Sequence, residues 1–198
     1  LVAVIALLSA GFLSAAEPKD EIAAAAKKLG EHSYAWKSTV VVPDSVRFRR
    51  GPTEGKTEKD GFTLVTMSFG NDNSVEAVMK GEKAVVTDQD GNWQLVSDLE
   101  NAEGRGRFLG RMVRNMKAPA GQITDLLSQV KDLKKDGNVY TGTLTEQEGE
   151  LFKYEVKLEA KMEFNGNEFD ATRTTTTEIS GVGTTKVTVP PDAKKKLG

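Results

Sequence analysis

From Phe152 to Phe164 the chain alternates without a fault, with Phe152, Tyr154, Val156, Leu158, Ala160, Met162 and Phe164 set against Lys153, Glu155, Lys157, Glu159, Lys161 and Glu163. A helical period of about 3.6 would scatter both sets around the axis, so only an extended strand gives this segment one apolar and one charged face. Such a strand buries one side and wets the other, which is the habit of antiparallel sheets covered on a single face. Asn165-Gly166 then supplies a tight hairpin signal, and Phe169 to Ile179 returns as a Thr-rich strand of high β-propensity. Gly181 and Gly183 allow one more bend into a strand with Thr185, Val187 and Val189. Pro190-Pro191 ends the sheet and leaves Lys194 to Lys196 as a solvated tail.

The same period of two runs through the first half. Tyr34, Trp36, Ser38, Val40 and Val42 alternate with Ala35, Lys37, Thr39 and Val41 until Pro43. Val46 to Arg50 is a second short run, and the polar stretch from Gly51 to Asp60 is expected to be an exposed loop, mobile enough to act as a lid. Phe62 to Phe69 is a strand with Val65, Met67 and Phe69 on one side, turned back by Gly70-Asn71-Asp72-Asn73 into Val75 to Lys80. Gly81-Glu82 leads into Ala84 to Thr87, and Asp90-Gly91 joins that strand to Trp93–Val96. The Asp88, Asp90 and Asn92 cluster lacks an EF-hand's glycine and distal carboxylate, because Trp93 and Leu99 occupy those positions. It reads as a hairpin rather than a metal site. Farther along, Val139 to Thr145 makes another strand.

Two regions keep the helical period. Glu17 to Gly30 reads as a short helix, with Asp20 to cap it, Ile22, Ala26 and Leu29 on one face and Gly30 to stop it. A helical insert occupies about residues 103–131. Phe108, Leu109, Met112, Val113 and Met116 recur there at helical spacing, beside the basic residues Arg105, Arg107, Arg111, Arg114 and Lys117. Pro119 and Gly121 break the run, and Ile123, Leu126, Leu127 and Val130 start a second amphipathic helix. Two helices with apolar stripes must cover something, and one face of the sheet is the large apolar surface on offer. The expected fold class is α+β, a curved antiparallel sheet closing into a half-barrel, with two or three helices covering or lining its concave face.

Residues 1–16 form an apolar run without charge, too short to span a bilayer and ending in small residues; it reads as a signal peptide cleaved after Ala16. Residues 17–198 are then expected to be a single β-rich domain. The sequence contains no Cys, which excludes a disulfide framework and an acylated lipobox. A periplasmic or extracellular protein follows, soluble, not lipid-anchored, monomeric and at most in transient contact with a membrane. The balance of 27 basic against 29 acidic residues gives no global pull toward nucleic acid, and no nucleic-acid partner is expected.

An enzyme is not expected. With no Cys and one His, any nucleophile-plus-imidazole mechanism would have to use His32, which sits in the polar stretch Glu31-His32-Ser33. Glu155, Glu159 and Glu163 share one environment on the charged strand face, whereas paired acid and base need two. No Gly-rich phosphate loop joins a strand to a helix, and no cofactor or metal cluster is indicated.

The layout resembles the periplasmic lipoprotein-carrier superfamily that includes LolA and the mycobacterial LppX and LprG lipid carriers. The resemblance lies in the Tyr34/Trp36 strand, the hairpin before Trp93, the helix pair, the strand start Gly137-Asn138-Val139-Tyr140 and the ending Thr184-Thr185-Lys186-Val187-Thr188-Val189-Pro190-Pro191. The final hairpin, Met162 to Phe169 into Thr172-Arg173-Thr174-Thr175-Thr176-Thr177, also looks like secreted planctomycete-type proteins. Two departures stand out: only Glu146 to Leu151 separate the Tyr140 strand from the long charged strand, where such carriers hold more residues, and the lipobox Cys is absent.

The resemblance implies a hydrophobic cavity between curved sheet and helices, holding a lipid, an acyl chain or a lipidated protein. The cavity candidates are Trp36, Val65, Met67, Trp93, Met112, Met116, Leu127, Tyr154, Leu158 and Met162, which every folded domain of this size would otherwise need as core. Arg107, Arg111 and Arg114 are candidates for a headgroup phosphate, within the basic row from Arg105 to Lys117. The alternative is a structural or interaction protein of the envelope with a filled core and a charged docking face. Cavity volume separates the two readings.

Overall fold

The computed structural model describes residues 3–4, 17–42, 50–69, 73–129, 133, 135–136, 139–140, 144–147, 150–158, 161–164, 167–170 and 173–198. In chain order the elements are β1 (Ala3–Val4), α1 (Pro18–Gly30), β2 (Tyr34–Val41), β3 (Arg50–Thr57), β4 (Thr63–Phe69), β5 (Asn73–Lys80), β6 (Lys83–Thr87) and β7 (Trp93–Leu95). After a 3-10 turn at Asp98–Asn101 come α2 (Gly104–Arg114), α3 (Pro119–Gln129), β8 (Lys135–Asp136), β9 (Val139–Tyr140) and β10 (Leu144–Gln147). The chain ends with β11 (Glu150–Leu158), β12 (Lys161–Phe164), β13 (Asn167–Asp170), β14 (Arg173–Ser180) and α4 (Pro191–Leu197).

Among the described residues, ten strands join one curved antiparallel sheet in the order β1-β11-β14-β2-β3-β4-β5-β6-β7, with β10 also on β11. From β2 to β7 the order is a meander, whereas β14 crosses from the C-terminal part of the chain to pair with β2. The register puts like with like. Tyr154 faces Thr177 and Val156 faces Thr175 on one side, while Lys153 faces Glu178 and Glu155 faces Thr176 on the other. Next along the sheet, Ile179 faces Trp36 and Thr177 faces Ser38, whose hydroxyls share a 2.6 Å hydrogen bond. Thr177 is fully buried, so that bond satisfies a group that burial would otherwise leave unpaired.

The two faces carry separate apolar clusters. The concave face is covered by α1, α2 and α3, which contribute Ile22, Ala26, Leu29, Leu109, Val113, Ile123 and Leu127 to a core with Tyr34, Trp36, Val65, Met67, Val75, Ala77, Val86, Tyr154 and Ile179. The opposite face is polar near β2, β11 and β14, but at its other end Phe62, Leu64, Val78, Val85, Trp93 and Leu95 form a second cluster under α4. This division follows the alternation of β5, where Val75, Ala77 and Met79 point one way and Val78 the other. No helix among the described residues is long and apolar enough to cross a membrane.

Several sequence expectations are corrected. Gly51 to Asp60 is not an exposed loop or lid, since most of it is β3, paired on both sides between β2 and β4. Its Gly55 lies against the Trp36 indole, whose Nε1 donates to Thr57 Oγ1 at 3.2 Å. Of the long charged strand, β11 covers Glu150–Leu158 and β12 covers Lys161–Phe164, residues 159–160 lying outside the described residues; β12 pairs with β13, Phe164 opposite Asn167, in the register that also pairs β11 with β14. Residues 181–190 are not a strand. Thr184 and Thr185 turn back on the Gly181 carbonyl, while the Gly183 and Val187 amides donate to the Ser33 carbonyl and the Glu58 carboxylate.

The lysine tail, too, is a helix, with Pro190 and Pro191 at its start, Ala193 and Leu197 buried and the lysines exposed. For α1, Glu17 rather than Asp20 precedes the first turn, without a side-chain cap, and Asp20 sits inside that turn, where the helix dipole favours it. The Asp88 cluster is a hairpin: the Asp88 carboxylate accepts the amides of Asp90 and Asn92, each at 2.9 Å, and Gly91 takes φ +81°. Those bonds, that from Asn92 foremost, hold the Asp88 carboxyl below the usual range. The run Val46 to Arg49, the turn residues 70–72, Val130, and 141–143 within the strand expected from Val139 to Thr145 lie outside the described residues. Of the expected leader, Ala3 and Val4 run along β11 opposite Leu158 and Lys157.

Candidate functional site

Among the described residues, the middle of the concave face is packed. Of the sequence-derived cavity candidates, Trp36, Val65, Met67, Leu127 and Tyr154 are buried in the core beneath the helices, and Met112 and Met116 are half-buried against it. Trp93 is on the other side of the sheet, in the cluster under α4. It stands opposite Thr87 and packs with Val85 in that second cluster, away from the other candidates. Leu158 is opposite Arg173 and Met162 opposite Phe169 by backbone register, but their side chains lie outside the described residues.

Among the described residues, open space is found at the end of the helix pair. The C-terminal end of α2 is flanked by two clefts, and Met116 lines both. The first, about 440 Å³, lies between α2 and the β5–β7 edge, with Met79, Ala84, Leu95, Val96 and Val113 as its apolar wall. The second, about 350 Å³, lies between the α2–α3 junction and the β11–β14 ribbon, with Leu126, Tyr154 and Val156 beside Met116. These volumes suit part of a small apolar ligand.

Polar groups sit at the mouth of the second cleft. Lys117 and Asp125 form an ion pair of 2.6 Å across the α2–α3 junction, and Arg173 closes the side toward β14. Tyr154 donates to Gln122 Oε1 at 2.6 Å, which fixes α3 to β11 from inside the sheet. Tyr34 accepts the Ala120 amide at 3.4 Å and so ties the start of α3 to β2. Burial raises the pKa of both phenols, more strongly for Tyr154, since neither environment solvates a phenolate.

Arg107, Arg111 and Arg114 are all exposed along the outside of α2, and Arg114, at its end, also borders the first cleft. The three headgroup candidates therefore do not converge on one point. His32 is half-buried in the turn after α1, close to Gly183. Among the described residues, no three His, Cys, Asp or Glu side chains group as a metal-ligand set. A third hollow, about 670 Å³, lies on the charged sheet face between Lys37, Glu54, Lys56 and Glu178, where Lys37 and Glu54 pair at 2.8 Å. Sequence reasoning missed Gln122, Leu126, Val156 and Met79 as cleft residues. Their signals were present, because Leu126 shares the stripe of Ile123 and Leu127 and Val156 follows Tyr154 on the apolar side of β11.

No protein-family model matches this sequence, and no curated protein matches it in sequence. Among solved structures, the chain is similar to the lipoprotein LppX of Mycobacterium tuberculosis, at 12% identity and a TM-score of 0.45, covering 87% of this chain and 97% of that one. It is also similar to LprF from Mycobacterium bovis, at 13% identity and a TM-score of 0.41, covering 88% of this chain and 96% of that one.

Proposed function

We propose that this protein is a non-enzymatic binding protein of the cell envelope, exported by the apolar run Leu1 to Ala16, that holds an apolar chain such as a lipid acyl group beside Met116. The observation that carries this reading is the pair of clefts of about 440 and 350 Å³ sharing Met116, each with an apolar wall of sheet and helix residues. Methionine suits a shared wall of this kind, because its unbranched side chain re-packs around ligands of different shape. The ion pair Lys117–Asp125 and the Arg173 side chain supply charge at the second mouth, where a polar end group would emerge.

Titration with a fluorescent fatty acid tests the reading. The expected result is saturable binding that Met116→Lys weakens at least ten-fold, the order of effect of placing a charge in an apolar site. Binding by neither the wild type nor a Leu126→Ala variant with a widened second cleft would overturn it. A second reading, an interaction protein with a filled core, is favoured by one observation: Trp36, Met67, Val113 and Ile123 are packed and almost fully buried where an enclosed cavity would lie. That reading expects no uptake of any apolar probe.

A further inference from the structure

We propose that the outward face of α2 is a docking surface for an anionic lipid bilayer. Phe108 lies on this face with 47% of its surface exposed, one of the two large hydrophobic residues so exposed among the described residues. Around it, Arg105, Arg107, Arg111 and Arg114 are all exposed, while Leu109, Gly110 and Val113 face the core. Arg107, Arg111 and Arg114 follow at i, i+4 and i+7 and make one stripe. Phe108 and half-buried Met112 at i and i+4 make an apolar stripe beside it.

No acidic residue occurs anywhere in the helix, although the whole chain carries a formal charge of −2. Arg105 and Arg107 sit in its first turns, where the positive end of the helix dipole makes a cation unfavourable. Glu103 stands at the N-cap of the same end, and an external layer of negative charge adds to its favourable effect on this row. Phosphate groups match it best, because guanidinium groups bind them in a bidentate way, and a bilayer also receives an aromatic ring at the boundary between headgroups and acyl chains. A nucleic-acid backbone would satisfy the arginines but give Phe108 no apolar layer to enter.

The placement joins this face to the clefts. Val113 and Arg114, at the end of the same helix, line the first cleft, and Met116 follows immediately. The docking surface goes beyond the proposed binding of an apolar chain and can stand or fall without it.

The test is co-sedimentation of the full chain with vesicles of phosphatidylcholine alone and of phosphatidylcholine mixed with phosphatidylglycerol. The expected result is binding to the mixed vesicles, released by high salt as the Debye length shrinks. Each of Arg107→Gln and Arg111→Gln weakens it about five-fold, and Phe108→Ser weakens it on the order of ten-fold. All three positions are exposed, and unchanged thermal unfolding of the variants confirms that they fold. Equal binding to both vesicle types, no effect of these variants, or binding of the full chain to duplex DNA or an acidic peptide without binding to mixed vesicles would each overturn the proposal. Vesicle binding without fatty-acid uptake leaves it standing and removes the apolar-ligand reading. Uptake without vesicle binding does the reverse.

Discussion

A β-carbon added at Gly55 would stand 2.2 Å from Trp36 Cε2 and 2.3 Å from Cζ2, distances that no side chain can occupy. The indole lies flat over the neighbouring strand there, and its Nε1–H reaches Thr57. Gly55→Ala is therefore expected to destabilise the fold by about 3 kcal/mol, the upper range for overpacking. Urea denaturation reads the loss, and a second change of Trp36→Leu in the same chain should recover part of it. The same pair explains why β3 was not legible: Arg50-Gly-Pro-Thr-Glu-Gly-Lys-Thr57 has the composition of a loop, and only the ring across the sheet shows what its second glycine is for. Tyr34 and Tyr154 allow a further test at this scale. Both phenols have raised pKa values in the folded state, from an ordinary value near 10.0. Their contribution is fully present below about pH 10 and is lost as pH rises through the folded values, because only the unfolded chain releases the proton easily. Stability should thus fall steadily above pH 10. Phenolate absorbance from these two residues should appear together with loss of the circular-dichroism signal, not before it.

Among the elements, the strands that alternate were legible and those held by context were not. The apolar side of β11, the Asp90-Gly91 hairpin and the helices α1 to α3 follow from period and turn chemistry that no tertiary contact had to override. α4 was hidden by its three lysines, although Pro191 at its start and Ala193 with Leu197 at i and i+4 are the marks of a short amphipathic helix. Its role is to cover the second cluster, with Leu197 3% exposed and Lys83 Nζ donating to the Leu197 carbonyl at 3.0 Å. Leu197→Ala is expected to cost about 2 kcal/mol, the low end for such a deletion because a terminal helix relaxes readily. The readout is Trp93, which is 8% exposed beneath this helix. Its fluorescence should shift to the red and become open to acrylamide quenching in the variant, while Trp36 stays protected in the other cluster.

For the molecule as a whole, the pairing of β14 with β2 decides the shape, since it brings the C-terminal ribbon β11–β14 onto the edge of the β2–β7 meander and completes the concave face. The site depends on that closure, because one Met116 cleft borders the meander and the other borders the ribbon. This is why the candidate site was only half legible. Periodicity gave the inward residues, yet it could not say that Trp36 and Met67 would be packed into the core while two clefts flank one helix end. A ligand seated at those flanks would bridge parts of the sheet that are far apart in sequence, and it would bind the folded chain alone. Linkage then requires stabilisation: at a free ligand concentration about 100 times Kd, the gain is about 2.7 kcal/mol, or a rise in Tm of roughly 5–10 °C for a chain of this size. Differential scanning calorimetry with a long-chain fatty acid should show that rise in the wild type and little of it in Met116→Lys. A fatty acid that leaves the wild-type Tm unchanged at every concentration would mean that neither cleft opens to receive it, and that the packed concave face serves as core alone.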